Sequence, residues 1–369
     1  MKKVVFLLLV LFQFINAQEL ALVRKDGKFG YISKNGEFAI QPKYKTAKNF
    51  SEGLAAAEES GKWGFIDTKG EWIIPATFDD AKYFKNGVCV VSKNKKWVYT
   101  NTKGEILTAP ASDKVYDFED GVALIRQGDK VGLINNIMEV ILKPQFDVIK
   151  SFQNGYARVR NNDLWGIIDN TGKVVVELKY EEIGDFYKNT TWAKSGKSFG
   201  LVKNGNFIVV DGADKIWDFN IQDVTYARKN DKIGFINLEG KWIIEPKFEK
   251  AKAFVKNQAP VAVGGKWGFI NLKGDFVIEP KYKDAEIFST DGLAPVKDSK
   301  WGFINEHGEL VIPAQYEISS IGFSMFSNEN KGFINGLARV KSDKGWGFIK
   351  PDGQVLRNQW FENAEPFQK

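Results

Sequence analysis

The chain has 369 residues, 43% hydrophobic and 27% charged, with a net charge of +6 at neutral pH. That balance is ordinary for a folded protein and too mildly basic to argue for nucleic acid. One cysteine, Cys89, excludes an intramolecular disulfide, and one histidine, His307, excludes a His-based triad or a His/Cys zinc site.

The N-terminus reads as a processing segment. Lys2 and Lys3 precede an apolar run from Val4 to Phe14, and Ala17 offers a small residue before Gln18. This pattern predicts a signal peptide over residues 1–17, so the chain is expected to be exported: periplasmic, secreted or surface-associated. No later segment approaches the ~20 apolar residues of a membrane-spanning helix.

Residues 18–369 form a tandem array. Gly30, Gly64, Val98, Gly132, Gly166, Gly200, Gly234, Gly268 and Gly302 follow one another in steps of 34 residues, and Gly347 comes 45 later. That makes ten units, with an 11-residue insertion within about 318–330. Equal steps of this length are the signature of a repeat architecture.

Each unit opens with a short apolar strand such as Leu54-Ala55-Ala56-Ala57. One of its positions is small throughout: Ala21, Ala55, Cys89, Ala123, Ala157, Thr191, Thr225, Ala259, Ala294 and Ala338. A tight interior site explains that column, so Cys89 is expected to be a packed residue. The second strand carries Lys62-Trp63-Gly64-Phe65-Ile66, whose glycine should mark a close backbone approach. A turn of the form Asp67-Thr68-Lys69-Gly70 follows, with Asp or Asn capping the backbone and Gly in the left-handed position. The third strand, as in Trp72-Ile73-Ile74, is expected to end at a proline (Pro42, Pro75, Pro144, Pro246, Pro280, Pro313). A connector such as Asp80-Ala81-Lys82-Tyr83-Phe84 completes the unit, with room for one turn of helix.

These features predict an all-β fold: ten three-stranded meanders of ~34 residues stacked in an open solenoid or superhelix. A closed, propeller-like toroid is the alternative. Ten units exceed the usual ~4–8 blades, and no strand offset between the termini is evident. Arg357-Asn358-Gln359, polar where other units are apolar, reads as a cap on an open end.

The recurring Gly-Lys-Trp-Gly-Phe-Ile-Asp…Gly, followed by Ile-Pro or Glu-Pro and an aromatic, resembles the WG (KWG) repeat family from about Leu20 to Phe367. The resemblance implies a bacterial β-repeat protein, exported or surface-associated, with no defined activity of the repeat itself.

No nucleophile elbow, phosphate loop or calcium loop is present, and no cofactor or metal is expected. His307 falls in a hairpin turn. The Trp column (Trp63, Trp97, Trp165, Trp267, Trp301, Trp346) is read as packing between units rather than as a ladder of sugar-stacking platforms, because Phe29, Val131, Phe199 and Ile233 substitute in it. Lysines before the motif, among them Lys62, Lys266 and Lys300, read first as a solvated face whose stems cover the aromatics, with a basic stripe suited to an anionic polymer as the alternative. Glu37, Glu71, Glu105, Glu139, Asp275 and Glu309 stand across the hairpin to neutralise it. Residues that leave the consensus are the candidate partner contacts: Trp192, Trp217, Phe219, Phe323 and Phe326. The expected function is a non-catalytic exported scaffold binding an extracellular or envelope partner, protein or polymer. A polysaccharide binder is the alternative, and a glycoside-hydrolase-like enzyme stands behind both.

Overall fold

The computed structural model describes residues 18–219, 222–318 and 331–369. The expected signal peptide and all but the first residue of the insertion, with Phe323 and Phe326, lie outside them. Among the described residues the strands form ten antiparallel sheets. The second sheet shows the pattern: Ala47–Ser51, Leu54–Glu59, Lys62–Ile66 and Trp72–Phe78 pair in that order, inner edge to outer edge.

The unit differs from expectation in two ways. The connector is not a helical turn. It is a short strand, such as Asp80–Ala81, that forms the inner edge of the next sheet. Nor does proline end the third strand. Pro75 lies inside Trp72–Phe78, on the outer edge, where its missing N–H costs no ladder bond.

Gly64 explains why the strands fit. Trp63 pairs with Phe78 and Phe65 with Ile74, so one residue faces three in a bulge. The arch of Pro75 and Ala76 lies on Gly64 so closely that a Cβ there would sit 2.5 Å from the Ile74 carbonyl oxygen. Gly268 and Gly302 meet the same arch, at 2.4 and 2.6 Å. The hairpin turn is as expected: the Asp67 carboxylate accepts from the Lys69 and Glu71 amides at 2.9 Å, and Gly70 has φ +81°. The small column is buried throughout, from 0 to 2% exposed.

The core lies between sheets. One cluster joins Phe65, Ile74 and Phe78 to Ala81, Phe84 and Val91 of the next sheet. Across this boundary the Phe65 and Phe84 rings meet edge-on at 4.7 Å, and Phe235–Phe254 and Phe269–Phe288 repeat the contact at 4.7 and 5.1 Å.

The array is not open. Asn363–Ala364, the last strand, pairs with Leu20–Lys25 and supplies the inner edge of the first sheet. Leu20 and Gln368 exchange backbone hydrogen bonds at 2.9 Å. Phe348 packs on Phe367 at 4.8 Å, matching the contacts elsewhere. Arg357 is no cap on a free end: its Nε donates to the Asn35 carbonyl at 2.9 Å and its guanidinium pairs with Glu37. The molecule is a ten-bladed β-propeller. Long cations help a ring of this size close around its axis. Lys48 donates to the carbonyl of Ala81 and Lys252 to that of Ala285 at 2.7 Å, each bridging neighbouring inner edges, while Arg339, on Leu337–Ser342, donates to that of Ala364 at 3.1 Å.

Candidate binding site

A mostly polar column runs at or just after the inner strands. Lys48, Lys82, Tyr116, Lys150, Gly184, Asp218, Lys252 and Glu286 stand at equivalent positions, next to buried small or apolar residues such as Ala81 and Ala285. Alternation along a strand sends these side chains away from the blade interior, along the inner edges of the ring. The variability of this column was the available sign of a site.

At blades 1 to 4 the column borders a cavity of about 730 Å³. Asn363 and Glu365 contribute from the closing strand, Lys48 and Asn49 from blade 2, Asp80, Lys82, Tyr83 and Lys85 from blade 3, and Asp117 from blade 4. Phe29, Trp63 and Trp97, the same position of three successive blades, supply its aromatic wall. Ring closure therefore builds part of the site.

The charges here are tied to one another. Asp80 lies 3.5 Å from Lys48 Nζ and accepts from the Ala81 amide at 2.7 Å. Asp117 pairs with Lys82 at 2.9 Å, and Glu365 with Arg339 at 3.4 Å. Cations also cover the rings: Arg24 lies 5.7 Å from the Phe29 centroid, Lys48 4.9 Å from Trp63 and Lys82 5.8 Å from Trp97. Burial holds the Tyr83 hydroxyl above its usual range, so it stays protonated.

The Trp column divides. Trp267 and Trp301 are packed as expected, at 8 and 4% exposed, and Trp63, Trp165 and Trp346 are half-buried. Trp97 is 44% exposed and faces the cavity.

The candidates chosen for leaving the consensus lie elsewhere. Trp192 Nε1 donates to Asp218 at 2.7 Å, and Trp217 stacks on Tyr226 at 4.8 Å. Phe219 is 4% exposed and belongs to the core, which removes it as a surface contact. It stands one position before the column of Phe186 and Phe254, which explains its break with the consensus. Nearby, burial and the Asp218 carboxylate hold Asp185 above the usual carboxylate range, against the pull of Arg158 at 3.0 Å.

Lys62, Lys266 and Lys300 are exposed but border no part of the cavity. Lys62 pairs with Asp79 at 2.6 Å, and Lys130 of the same column with Asp147 at 2.7 Å. These partners follow the outer strand. Five of the six carboxylates expected across the hairpin bond to an Asn of the turn instead, as Glu105 does with Asn101 at 2.7 Å. Cys89 is buried, and burial raises its thiol well above the usual range. His307 is exposed in its turn, its amide donating to Asn305. Among the described residues no group of three or more His, Cys, Asp or Glu is placed to hold a metal, and no helix is long and apolar enough to cross a membrane.

Among curated proteins none matches the chain in sequence. Among solved structures, a eukaryotic initiation factor is similar over 79% of this chain and 95% of its own, at 12% identity and a TM-score of 0.45. Hsv2 of Kluyveromyces lactis covers 63% of this chain and 88% of its own, at 12% identity and TM-score 0.32. PorZ, a surface component of the type-IX secretion system of Porphyromonas gingivalis, covers 91% and 57%, at 8% identity and TM-score 0.24. Overlaps this low say nothing of function. The family model for the WG containing repeat matches eight times, at 29–63, 63–97, 99–130, 132–165, 165–197, 233–267, 267–299 and 301–318. The chain belongs to the WG-containing repeat family.

Proposed function

We propose that this protein is an exported, non-catalytic ring scaffold that binds an extracellular or envelope partner, protein or polymer, in the cavity of blades 1 to 4. The observation that carries the reading is a cavity of about 730 Å³ with an aromatic wall assembled from three successive blades. Sites of this kind are concave, mostly apolar and furnished with a few placed polar groups. Its carboxylates are engaged with Lys48, Lys82 and Arg339, which suits them to holding the wall in shape rather than to proton transfer. The basic stripe is a weaker candidate for an anionic polymer, because Lys62 and Lys130 already have carboxylate partners.

The test is retention of fractionated envelope protein and polysaccharide by the purified protein and by Trp97→Ala. Saturable retention that the variant loses at unchanged melting temperature, with the bound material recovered chemically intact, is the expected result. Turnover of the bound material, abolished by Asp80→Asn or Asp117→Asn, would replace the scaffold reading with an enzymatic one.

A further inference from the structure

The cavity wall specifies its ligand more narrowly than the scaffold reading on which this inference rests. Three bases and three acids border it: Lys48, Lys82 and Lys85 against Asp80, Asp117 and Glu365. The Lys48–Asp80, Lys82–Asp117 and Arg339–Glu365 pairs are made within the protein. At Lys48 or Lys82 an anionic ligand would have to displace a carboxylate, and it would meet Asp80 and Asp117 as repelling neighbours. A cationic ligand is disfavoured for the opposite reason. It would meet Lys48, Lys82 and Lys85 as repelling neighbours, while Asp80 and Asp117 are already held by lysines.

Two features remain for an uncharged ligand to use. Trp97 presents an indole that is 44% exposed, whereas Trp267 and Trp301 at the same repeat position are covered. Asn49, 6% exposed and on the cavity wall, has a side-chain oxygen buried without a hydrogen-bond donor. A buried acceptor left without a donor costs about 1–3 kcal/mol, so a ligand group that donates to it recovers that cost on binding. The ligand must therefore be neutral, carry a hydrogen-bond donor, and offer a flat apolar face to an aromatic ring. A pyranose ring satisfies all three conditions. Its hydroxyls donate around its rim, and the C–H groups of its face suit the electron-rich face of an indole. Phe29, Trp63 and Trp97 recur at one position of adjacent blades, which matches a ligand that itself repeats.

We propose that the cavity binds a short segment of a neutral glycan, stacked on Trp97 and donating a hydroxyl to Asn49. An uncharged peptide is the competing ligand. The experiment is calorimetric titration of the purified protein, at low and at high salt, with neutral gluco- and chito-oligosaccharides, uronic-acid oligosaccharides and an uncharged peptide library. The same titrations are made with Trp97→Ala and Asn49→Leu, and melting temperatures are recorded for both. Trp301→Ala, at a covered ring of the same column, is the control for loss of packing.

The expected result is saturable binding of a neutral oligosaccharide that salt does not change, weakened about tenfold by Trp97→Ala, as for loss of one aromatic contact. Trp301→Ala should lower the melting temperature and leave affinity unchanged. Binding of uronic-acid oligosaccharides alone, lost at high salt, would overturn the proposal, as would glycan binding that ignores Trp97→Ala. Peptide binding that depends on Trp97 would overturn the glycan while leaving the scaffold reading in place. No binding by either class, together with envelope retention that ignores Trp97→Ala, would overturn both.

Discussion

Gly64 shows what a single residue does in each unit. With the arch of Ile74 to Ala76 within 2.5–2.7 Å of where a Cβ would lie, no flexible side chain can yield. Gly64→Ala is expected to destabilise the protein by about 1–3 kcal/mol, measured by denaturant unfolding, as for other overpacked sites. Cys89→Ala, by contrast, matches the residue most units carry there and should leave the melting temperature nearly unchanged. Both roles were legible in the sequence, because a size limit kept in nine units of ten for the glycine, and in all ten for the small residue, is visible as a column. The state of each tryptophan was not. Trp97 and Trp301 share a column, yet Trp301 pairs with Tyr316 of its own outer strand, whereas the outer strand beside Trp97 is only Ile106–Leu107 and does not reach it.

Carboxylates set the acid limit at the same scale. Hydrogen bonds from Lys62 and the Lys95 amide hold Asp79 below the usual carboxylate range, and those from Lys130 and the Asn162 amide do so for Asp147. The Gly265 and Gly264 amides do so for Glu249. A carboxylate with a lowered folded pKa stabilises the fold above its unfolded value of about 3.9–4.3 and loses that contribution as pH falls through the folded value. The melting temperature should therefore fall below about pH 4. In Asp79→Asn that fall should be shallower, which pH-dependent thermal scans would show.

Among elements, the inner strand links repeat to repeat. It is only two residues long in Asp80–Ala81, too short for any alternation to reveal it, and its polar column hid it further. Its tether is Phe84, fully buried against Phe65 of the preceding blade. Phe84→Ala removes that ring from a core shared by two blades and should cost about 3–5 kcal/mol in equilibrium unfolding. An equal loss from Phe78→Ala is no objection, since both serve the same cluster. A change below about 1 kcal/mol would contradict this role for the connector.

For the whole molecule, the all-β repeat was legible in the 34-residue period, while closure was not. The signal existed: Phe361-Glu362-Asn363-Ala364 repeats the order of Phe78-Asp79-Asp80-Ala81, so the chain ends one inner strand beyond its last meander. Its partner is the first sheet, whose inner edge it supplies. Deleting residues 362–369 should expose the edge of Leu20–Lys25 and lower the melting temperature sharply, because it removes a strand and half of the Phe348–Phe367 contact. The cavity would lose Asn363 and Glu365 as well, so binding should fail with closure.

Closure is measured most directly as a distance between the two ends. Spin labels at Asp26 and Glu362, both exposed, can be introduced into a Cys89→Ala background and read by dipolar broadening of the continuous-wave paramagnetic resonance spectrum. The Glu362 carboxylate accepts from the Gly27 amide at 3.0 Å, so the ring predicts a single narrow distribution at short range. Ten sheets stacked at ~10 Å in an open array would hold the labels roughly 90 Å apart. Absence of dipolar broadening in the folded protein would contradict the closed ring.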